Sequence, residues 1–242
     1  YLSKLKMSKN IKNYIIGSGF VASHFKKNLR HFINSKVVIY AAGISNSQTK
    51  SSYELKREIK KMHNFLKKNK KKLVYISTYS VKDPSRNSSK YCINKIKIEK
   101  LIKNNSNNYL ILRFPEIIGK NKNPNTLSNY FAQKIKKGSK FEVLHYAKRN
   151  FLDINHAVKI AIYFIKYYKK KNQVCNLINT YNVSPIKVVN YLEEILKNKG
   201  NFKINYKEIK KFNIKSSVSK KIVKKFKFNN YYLFKVLKKY YK

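Results

Sequence analysis

The feature that most constrains the fold is a short apolar segment that runs directly into a glycine turn and then into a helical pattern. Residues 11–16 read as a strand, Gly17 and Gly19 form the turn, and a helical stretch follows to about Phe32. Strand, glycine turn and helix in this order are typical of the opening of a dinucleotide-binding fold. An ordinary tight turn between a strand and a helix is the alternative interpretation.

Strand-like and helix-like segments alternate along the first half of the chain. Residues 37–43 read as a fully buried strand, as in a parallel sheet that is covered on both faces. A helix is predicted over 51–70, where Ser51 and Glu54 match a capping box. Strands at 73–76 and 109–112 flank a helix at 88–103. The alternation predicts an α/β fold, a doubly wound parallel-sheet Rossmann fold.

The pattern loosens after residue 113, where a substrate lobe would grow. The expected elements there are a loop over 114–125, a helix to about 137, short strands at 141–144 and 150–154, a helix over 156–170, a strand at 174–178 and a helix after Ser184. The aromatic residues of the tail recur at helical spacing, which favours a core role for them.

Three regions follow from this organisation. They are an N-terminal extension (1–10), a Rossmann-like nucleotide-binding domain (11–182) with substrate-loop insertions at about 119–155, and a small C-terminal substrate-side segment (183–242).

The charge of the chain is extreme, with a formal net charge of +46, and all but five of its 56 basic residues are lysine. Residue types with A/T-rich codons (Lys, Asn, Ile) are abundant and Gly, Ala, Pro and Arg are rare, so genome-wide codon bias is a sufficient origin for this charge. A basic nucleic-acid-binding protein is the alternative. The lysines are scattered through every segment instead of forming one stripe, so nucleic acid is not the expected partner.

Several classes of protein are excluded by simple counts. The two cysteines, Cys92 and Cys175, do not suffice for a disulfide framework and suit a reducing cytoplasm. No apolar run approaches the roughly 18 residues of a membrane span, and the N-terminus lacks the apolar region of a signal peptide. The histidines have no partners at metal-ligand spacing, so no metal is predicted. We expect a cytoplasmic protein without a membrane segment.

A tyrosine and a lysine one helical turn apart, Tyr91 and Lys95, form the candidate acid/base pair. The lysine is expected to lower the pKa of the tyrosine. Spacing alone decides nothing, because Tyr91, Tyr130, Tyr167, Tyr206 and Tyr231 are all followed by lysine four residues later. Context favours Tyr91, since Ser77 and Thr78 close the preceding strand at the end where α/β sheets bind ligands.

Six segments, in order, resemble the extended short-chain dehydrogenase/reductase superfamily, in particular its NAD-dependent epimerase/dehydratase group that acts on nucleotide sugars. They are IIGSGFVASHF, VVIYAAGISNS, LVYISTYSVKDPS, YCINK, YLILRFPEIIG and RNFLDINHAV. The resemblance covers about residues 11–242 and is most specific from 73 to 119.

The resemblance implies roles for individual residues. Thr78, Tyr91 and Lys95 would be the catalytic residues, with Tyr91 exchanging a proton with a sugar oxygen and Lys95 holding the nicotinamide ribose. NAD or NADP would be the cofactor, a nucleotide sugar the substrate, and a homodimer through the helices at about 52–70 and 88–103 the assembly. The residues expected to bind the cofactor are Gly17, Gly19, Phe20, Ala22, Ala41, Ala42 and Gly43, together with Tyr91 and Lys95, and those expected to bind substrate are Asn121, Asn123, Thr126 and Arg149.

The chain departs from the family pattern in ways that bear on function. Only one helix fits between Gly19 and Val37, so two strands of the family fold are expected to be missing, together with the acidic residue that binds the adenine ribose. Glu116 and His156 stand where the family has Asn and Asp. Tyr79 and Ser80 replace the acidic pair of 4,6-dehydratases, which disfavours dehydration.

The leading hypothesis is therefore an NAD(P)-dependent oxidoreductase or epimerase of surface-polysaccharide nucleotide-sugar metabolism, with Tyr91 as acid/base. A cofactor-binding or regulatory relative without catalysis is the first alternative, because the ribose-binding segment is lost. His145 and His156, which flank Arg149, are further candidates for substrate contact. Glu99, one turn after Lys95, is interpreted as an ion-pair partner on the same helix.

Overall fold

A computed structural model describes residues 14–28, 36–167, 170–210, 216–218 and 220–242. The predicted N-terminal extension, the first residues of the predicted first strand and the predicted end of the first helix near Phe32 lie outside these ranges. The strands are β1 Ile15–Ile16, β2 Val37–Tyr40, β3 Lys72–Thr78, β4 Tyr109–Phe114, β5 Glu116–Ile118, β6 Phe141–Leu144, β7 Arg149–Asp153, β8 Gln173–Asn176, β9 Asn182–Val183 and β10 Phe202–Asn205. The helices are α1 Phe20–Asn28, α2 Ser52–Lys68, α3 Lys90–Asn105, α4 Leu127–Lys136, α5 Ile154–Tyr167, α6 Pro185–Leu196, α7 Lys220–Lys225 and α8 Tyr232–Tyr241.

The central sheet has five parallel strands in the order β1-β2-β3-β4-β8. Strand β1 pairs directly with β2, Ile15 with Ile39, and only residues 29–36 connect α1 to β2. Within the described residues no strand lies on the other side of β1, which is therefore an edge strand. This order agrees with the predicted shortening between the first helix and the second strand.

Both faces of the sheet are covered by helices. Ile39 and Leu110 point into a cluster with α1 and α5, whereas their neighbours Tyr40 and Ile111 point into a second cluster with α2 and α3. Successive residues of a strand face opposite sides, so uninterrupted apolar strands are expected when both sides are buried. The predicted α/β parallel-sheet fold is confirmed.

The C-terminal part of the chain shares one of these cores. Helices α6 and α8 pack against each other, and the buried Tyr232 and Leu237 belong to the same cluster as α1 and α5. The core role predicted for the tail aromatics is therefore observed in α8. Three short strands were not predicted: β5 and β9 pair with β7, and β10 pairs with β6.

Serine caps set the starts of the helices that carry the site. The Ser51 hydroxyl accepts a hydrogen bond from the Glu54 amide at the start of α2, and the Ser89 hydroxyl accepts one from the Cys92 amide at the start of α3. The capping box is only half formed, because the Glu54 carboxylate accepts from the Thr49 hydroxyl instead. The Ser89 cap places Tyr91 in the first turn of α3.

Within the described ranges, no helix combines the length and the apolar character needed to cross a membrane.

Candidate functional site

A cleft with a volume of about 420 Å³ lies where β2, β3 and β4 end. Its lining includes the glycine turn before α1, the segment after β2, the last residues of β3 and the segment after β4. Parallel strands bring their carboxyl ends to one edge of the sheet, which is where α/β proteins bind ligands.

Most of the residues predicted for the site line this cleft. They are Gly19, Phe20, Ala41, Ala42, Gly43, Thr78, Tyr91, Lys95, Asn121, Asn123 and Thr126. Gly17, Ala22 and Arg149 do not line it.

The two glycines of the turn have different surroundings. Gly17 has φ +131°, and a Cβ there would lie 2.8 Å from both the carbonyl carbon and the oxygen of Ala41. Gly17 is therefore required for the close approach of β1 to the segment after β2. A Cβ on Gly19 would meet nothing within 4 Å, so this backbone is open to the cleft.

Ala22 has a packing role in the first turn of α1. Its side chain is fully buried in the core cluster between α1 and the sheet. The strand, turn and helix from β1 to α1, with Gly17, Gly19 and Ala22, are called the glycine edge below. Open backbone at a helix N-terminus suits a pyrophosphate, so the residues of the glycine edge fit the phosphates of a dinucleotide.

The opposite side of the cleft, called the tyrosine wall, consists of Thr78, Tyr91 and Lys95 with Glu58 of α2 behind them. The Lys95 Nζ lies 2.6 Å from Glu58 Oε1 and donates to the Tyr75 hydroxyl at 3.3 Å. The second carboxylate oxygen of Glu58 accepts from Asn94 at 2.9 Å. An ammonium has three N–H donors, so these contacts leave one for a ligand.

A glycine makes room for this ion pair next to the end of β2. A Cβ on Gly43 would lie 2.6 Å from Glu58 Oε1 and 2.8 Å from Lys95 Nζ. Both charged side chains are about 95% buried, with 5% of Lys95 and 7% of Glu58 exposed. Burial lowers the pKa of Lys95, but Tyr91 and Glu58 raise it, and the net pKa lies above the usual value.

The pKa of Tyr91 corrects one expectation from the sequence. Burial raises it to about 12, and the opposing effect of the Lys95 charge is too small to reverse this shift. The ammonium lies 5.5 Å from the centre of the Tyr91 ring and is already paired with Glu58. Tyr91 is therefore protonated at neutral pH in the cofactor-free chain.

Thr78 stands at the junction of β3 and a short 3-10 turn, Tyr79–Lys82. Its hydroxyl oxygen accepts a hydrogen bond from the Ser80 amide at 3.1 Å, which caps the turn. The hydroxyl proton remains available as a donor toward the cleft, whose lining includes Thr78.

Two further ion pairs lie beside the tyrosine wall. Arg86 pairs with Glu116, and both residues line the cleft. Arg113 donates from Nε and Nη2 to the two carboxylate oxygens of Glu99, at 2.9 and 2.5 Å. Glu99 was expected to pair along its own helix, but its partners are Arg113 and the hydroxyl of Ser77, whereas Lys95 pairs with Glu58.

Arg149 is placed differently from the expectation for a phosphate ligand. Its Nη1 donates to Asp83 at 2.6 Å, and its side chain is only 7% exposed. Arg149 and Asp83 line a separate small cavity that shares Ser80, Arg86, Pro115 and Glu116 with the cleft. Burial lowers the pKa of Arg149, and Asp83 opposes this shift. The chain itself thus supplies the anion that Arg149 binds.

The two histidines that were candidates for substrate contact, His145 and His156, lie outside the lining of the cleft. The His156 Nδ1 lies 2.9 Å from the Tyr232 hydroxyl, and its ring packs against Phe226 and Phe228. The His145 ring packs against the exposed Tyr146 and Tyr206. Neither histidine lines the cleft, and no group of His, Cys, Asp or Glu in the described ranges is arranged to hold a metal ion.

Sequence reasoning missed two functional candidates, Glu58 and Arg86. The signal for Glu58 was its position one helical turn before Met62, on the apolar stripe of α2. A carboxylate on a buried stripe requires a partner. Arg86 carried no such signal, because its contact with Glu116 joins residues 30 positions apart.

Comparison with solved structures agrees with the fold. MoeE5 in complex with UDP-glucuronic acid and NAD has a TM-score of 0.71 at 15% identity, with 92% of this chain and 95% of that chain covered. The UDP-N-acetylglucosamine 4-epimerase from Bacillus cereus has a TM-score of 0.66 at 20% identity, with 93% and 96% covered. RMD from Pseudomonas aeruginosa complexed with NADPH has a TM-score of 0.69 at 14% identity, with 93% and 96% covered.

Sequence comparison identifies the family. No curated protein sequence matches the chain. The profile of the NAD dependent epimerase/dehydratase family matches residues 23–183, which is more than half of the chain and includes the tyrosine wall. The chain therefore belongs to the NAD dependent epimerase/dehydratase family.

Proposed function

We propose that this protein is an NAD(P)-dependent reductase or epimerase that acts on a nucleotide-activated sugar, with Tyr91 as the acid/base. The observation that carries the proposal is the convergence of Thr78, Tyr91 and Lys95 on the same cleft as the glycine turn. Chemistry at a sugar carbon requires a proton carrier beside the hydride carrier, and the lining of this cleft includes both Tyr91 and the glycine turn.

Each residue of the tyrosine wall has a distinct role in the proposed reaction. The Thr78 hydroxyl donates a hydrogen bond to the reacting sugar oxygen. Tyr91, protonated at neutral pH because burial raises its pKa to about 12, gives its proton to that oxygen when a carbonyl is reduced. Lys95 is held by Glu58 and directs its remaining N–H toward the cofactor ribose.

The cofactor would be held between the glycine edge and the tyrosine wall. The amides at the start of α1 take the pyrophosphate, and Ala41, Ala42 and Gly43 line the adjoining part of the cleft. The nicotinamide supplies or accepts the hydride when it is bound. Both NAD and NADP remain candidates, because residues 37–40 offer no carboxylate to the adenine ribose.

The contents of the cleft argue against a dehydratase. Within its described lining the only carboxylate is Glu116, which pairs with Arg86. Elimination of water requires a free acid and a free base at neighbouring carbons, and Tyr79 and Ser80 supply neither. Reduction or epimerisation requires one proton carrier, the role proposed for Tyr91, beside the hydride of a bound nicotinamide.

A cofactor-binding relative without catalysis is the second candidate. The observation that favours it is the edge position of β1, a strand of two residues with no described neighbour beyond it. Weak cofactor binding would leave the tyrosine wall unused. The two candidates differ in whether the chain turns over a substrate in a way that depends on Tyr91.

Partner, pathway and location are part of the same proposal. The reaction would supply activated sugars for the synthesis of a surface polysaccharide. It would take place in the cytoplasm, where the buried free thiols of Cys92 and Cys175 stay reduced. A homodimer through α2 and α3 stays a prediction. The outer faces of these helices expose Lys60, Lys97 and Lys100, so association of two copies would bring like charges together.

The test is a thermal-shift screen of the purified chain. NAD⁺, NADH, NADP⁺ and NADPH are each combined with UDP-glucose, UDP-glucuronic acid and UDP-N-acetylglucosamine. A ligand that binds only the folded chain raises the melting temperature by mass action, with about 2.7 kcal/mol of stabilisation at a hundredfold excess over Kd. No shift at millimolar concentrations of every pair would contradict the proposal.

A further inference from the structure

The loop between β5 and α4 owes its shape to its asparagines. This asparagine loop comprises residues 119–126 and lines the cleft with Asn121, Asn123, Asn125 and Thr126. The side-chain oxygen of Asn121 accepts from the Asn123 amide, and that of Asn123 accepts from the Asn125 amide, each at 3.0 Å. These two local turns curve the chain, but they do not hold the loop against the rest of the protein.

Asn129, in the first turn of α4, provides that attachment. Its Nδ2 donates to the Asn123 carbonyl at 2.7 Å, and it also lies 3.2 Å from Asn121 Oδ1. One amide group therefore binds both asparagines that create the turns. Its orientation decides where the loop lies relative to the cleft.

The orientation of Asn129 is set by the end of the chain. The Tyr241 hydroxyl donates to Asn129 Oδ1 at 2.5 Å, across 112 positions in sequence. With its oxygen occupied by Tyr241, the Asn129 amide presents its N–H groups to the loop. Helix α8 is itself fixed by its buried Leu233 and Leu237 and by the Lys239–Asp153 ion pair at 2.8 Å.

The asparagine loop in turn contacts the segment that follows β2. The Asn123 Nδ2 donates to the Ser45 carbonyl at 2.9 Å, and Ser45 lies in the segment after β2 that also lines the cleft. A continuous set of hydrogen bonds thus runs from Tyr241 through Asn129 and Asn123 to Ser45. Helix α8 is connected in this way to the part of the cleft where a nucleotide sugar would bind.

We propose that Asn129 and Tyr241 are positioning residues that hold the asparagine loop in the shape that binds the nucleotide sugar. The inference rests on the proposed function for the identity of the ligand. The attachment of the loop by α8 is independent of that identity. If α8 holds the loop in this way, Tyr241 influences substrate affinity through Asn129 without touching the substrate.

Hydrogen exchange of the full chain tests the attachment without any ligand. In Tyr241→Phe we expect the amides of Asn123 and Asn125 to exchange about fivefold faster, the effect of losing one net hydrogen bond. Tyr240→Phe is the matched control, because it removes a neighbouring half-buried hydroxyl that bonds Asp153 at 3.0 Å. That control should leave the exchange of the asparagine loop unchanged.

Asn129→Asp separates the contact of Asn129 with Tyr241 from its contact with the asparagine loop. The carboxylate still accepts from Tyr241, but it offers no donor to the carbonyl of Asn123 and repels it. Loop exchange should therefore accelerate more in Asn129→Asp than in Tyr241→Phe. Circular dichroism and the melting temperature of each variant identify a general loss of folding. If folding is weakened, the exchange rate of the loop is divided by that of β3 and β4, and this ratio is compared between variant and wild type.

Binding measurements complete the test with the nucleotide sugar that gives the largest shift in the thermal screen. We expect its Kd to rise about fivefold in Tyr241→Phe and more in Asn129→Asp, with little change in Tyr240→Phe. Unchanged loop exchange in Tyr241→Phe and Asn129→Asp would overturn the attachment. Faster exchange with unchanged Kd would overturn the positioning role. If no nucleotide sugar binds the wild type, the proposed function fails, and the exchange data still decide whether α8 holds the loop.

Discussion

The tyrosine wall holds its functional groups with buried charges, whereas the glycine edge offers backbone and small side chains. Glu58 and Lys95 form an ion pair that is about 95% buried, and Glu99 with Arg113 lies beside it. The glycine edge consists of a two-residue strand at the border of the sheet and a turn with open backbone at Gly19. The groups proposed for catalysis are thus held by buried ion pairs, whereas the proposed cofactor site offers few side-chain contacts.

Acidic residues show the same contrast. The chain has ten of them, and Glu58, Asp83, Glu99 and Glu116 all form ion pairs with bases around the cleft. With 56 basic residues and only ten acidic ones, the acidic residues are too few to pair with most of the lysines. Among the described residues, four ion pairs lie at or beside the cleft, whereas Lys239–Asp153 and Lys199–Glu193 lie elsewhere.

Tyr91→Phe tests the tyrosine wall most directly. Removing the phenol should lower the rate by at least about a hundredfold, since a general acid/base contributes that much or more, while cofactor affinity is retained. Steady-state kinetics and a cofactor titration measure the two. Tyr167→Phe is the control, because Tyr167 is also followed by lysine four residues later but is 57% exposed on α5. Equal rates for Tyr91→Phe and wild type would remove Tyr91 from the acid/base role, and cofactor binding by the wild type without measurable turnover would favour the relative without catalysis.

Glu58→Gln tests whether the buried charge stabilises the wall. The shape of the side chain is kept, but Lys95 is left as an uncompensated buried charge, so the free energy of unfolding should fall by about 3 kcal/mol. Urea denaturation measures it. Glu54→Gln, one turn earlier on α2, keeps an oxygen that can accept from Thr49 and loses only the charge, so it should cost less than about 1 kcal/mol. A cost equal to that of the control would show that the ion pair contributes no stability.

Glu58→Gln should also change how the reaction rate depends on pH. The negative charge of Glu58 is one of the causes that raise the pKa of Tyr91, after burial. Removing this charge lowers the Tyr91 pKa, so the limb of the pH–rate profile that reports Tyr91 should move to lower pH. A profile that does not move would indicate that another group titrates.

Two matched substitutions separate the structural role of the glycine edge from its proposed role in cofactor binding. Gly17→Ala places a methyl 2.8 Å from the Ala41 carbonyl at a positive φ, so it should cost about 2 kcal/mol of stability. Gly19→Ala meets no protein atom within 4 Å, so its stability should stay within about 0.5 kcal/mol. Its methyl would occupy the site of the pyrophosphate and weaken cofactor binding about tenfold, or 1.4 kcal/mol. Unchanged cofactor affinity in Gly19→Ala would place the cofactor elsewhere.

Asp153 extends the comparison to an ion pair whose base is half exposed. Burial raises the Asp153 pKa, but hydrogen bonds from Lys239 and the Asn155 amide outweigh it, and the net pKa is lowered. The stabilising contribution is therefore present above pH 3.8 and is lost as pH falls through the lower folded-state pKa. Asp153→Asn should cost about 1 kcal/mol at neutral pH and should remove this part of the acid sensitivity. An acid profile identical to that of wild type would contradict this assignment.

Elements with strong local signals were predicted well, and short paired strands were not. The helix beginning after Ser89 and the strand that ends at Thr78 could be predicted because caps and apolar runs are local in sequence. Strand β10 pairs Phe202 with Phe141 and contains only four residues. Its pairing depends on a partner about sixty positions away, which no local pattern reveals.

In the candidate site, too, contacts between neighbouring elements could be predicted and contacts between distant segments could not. Thr78, Tyr91 and Lys95 belong to one strand–helix unit, so their convergence could be predicted from order and spacing. The partner of Lys95 is Glu58, 37 positions away, and the partner of Arg149 is Asp83, 66 positions away. With lysine throughout the chain, no local pattern indicates that Lys95, alone among the described lysines, is buried beside a carboxylate.

The sequence by itself determined the α/β alternation, the glycine turn, the family and most of the predicted residues that line the cleft, because these depend on spacing within one or two neighbouring elements. Tertiary structure alone decided the charge state of the site: which acid meets which base, how far burial raises the pKa of Tyr91, and how Tyr241 reaches Asn129. Those outcomes depend on distances between segments that are far apart in the chain, and electrostatic and hydrogen-bond energies change steeply with distance and burial.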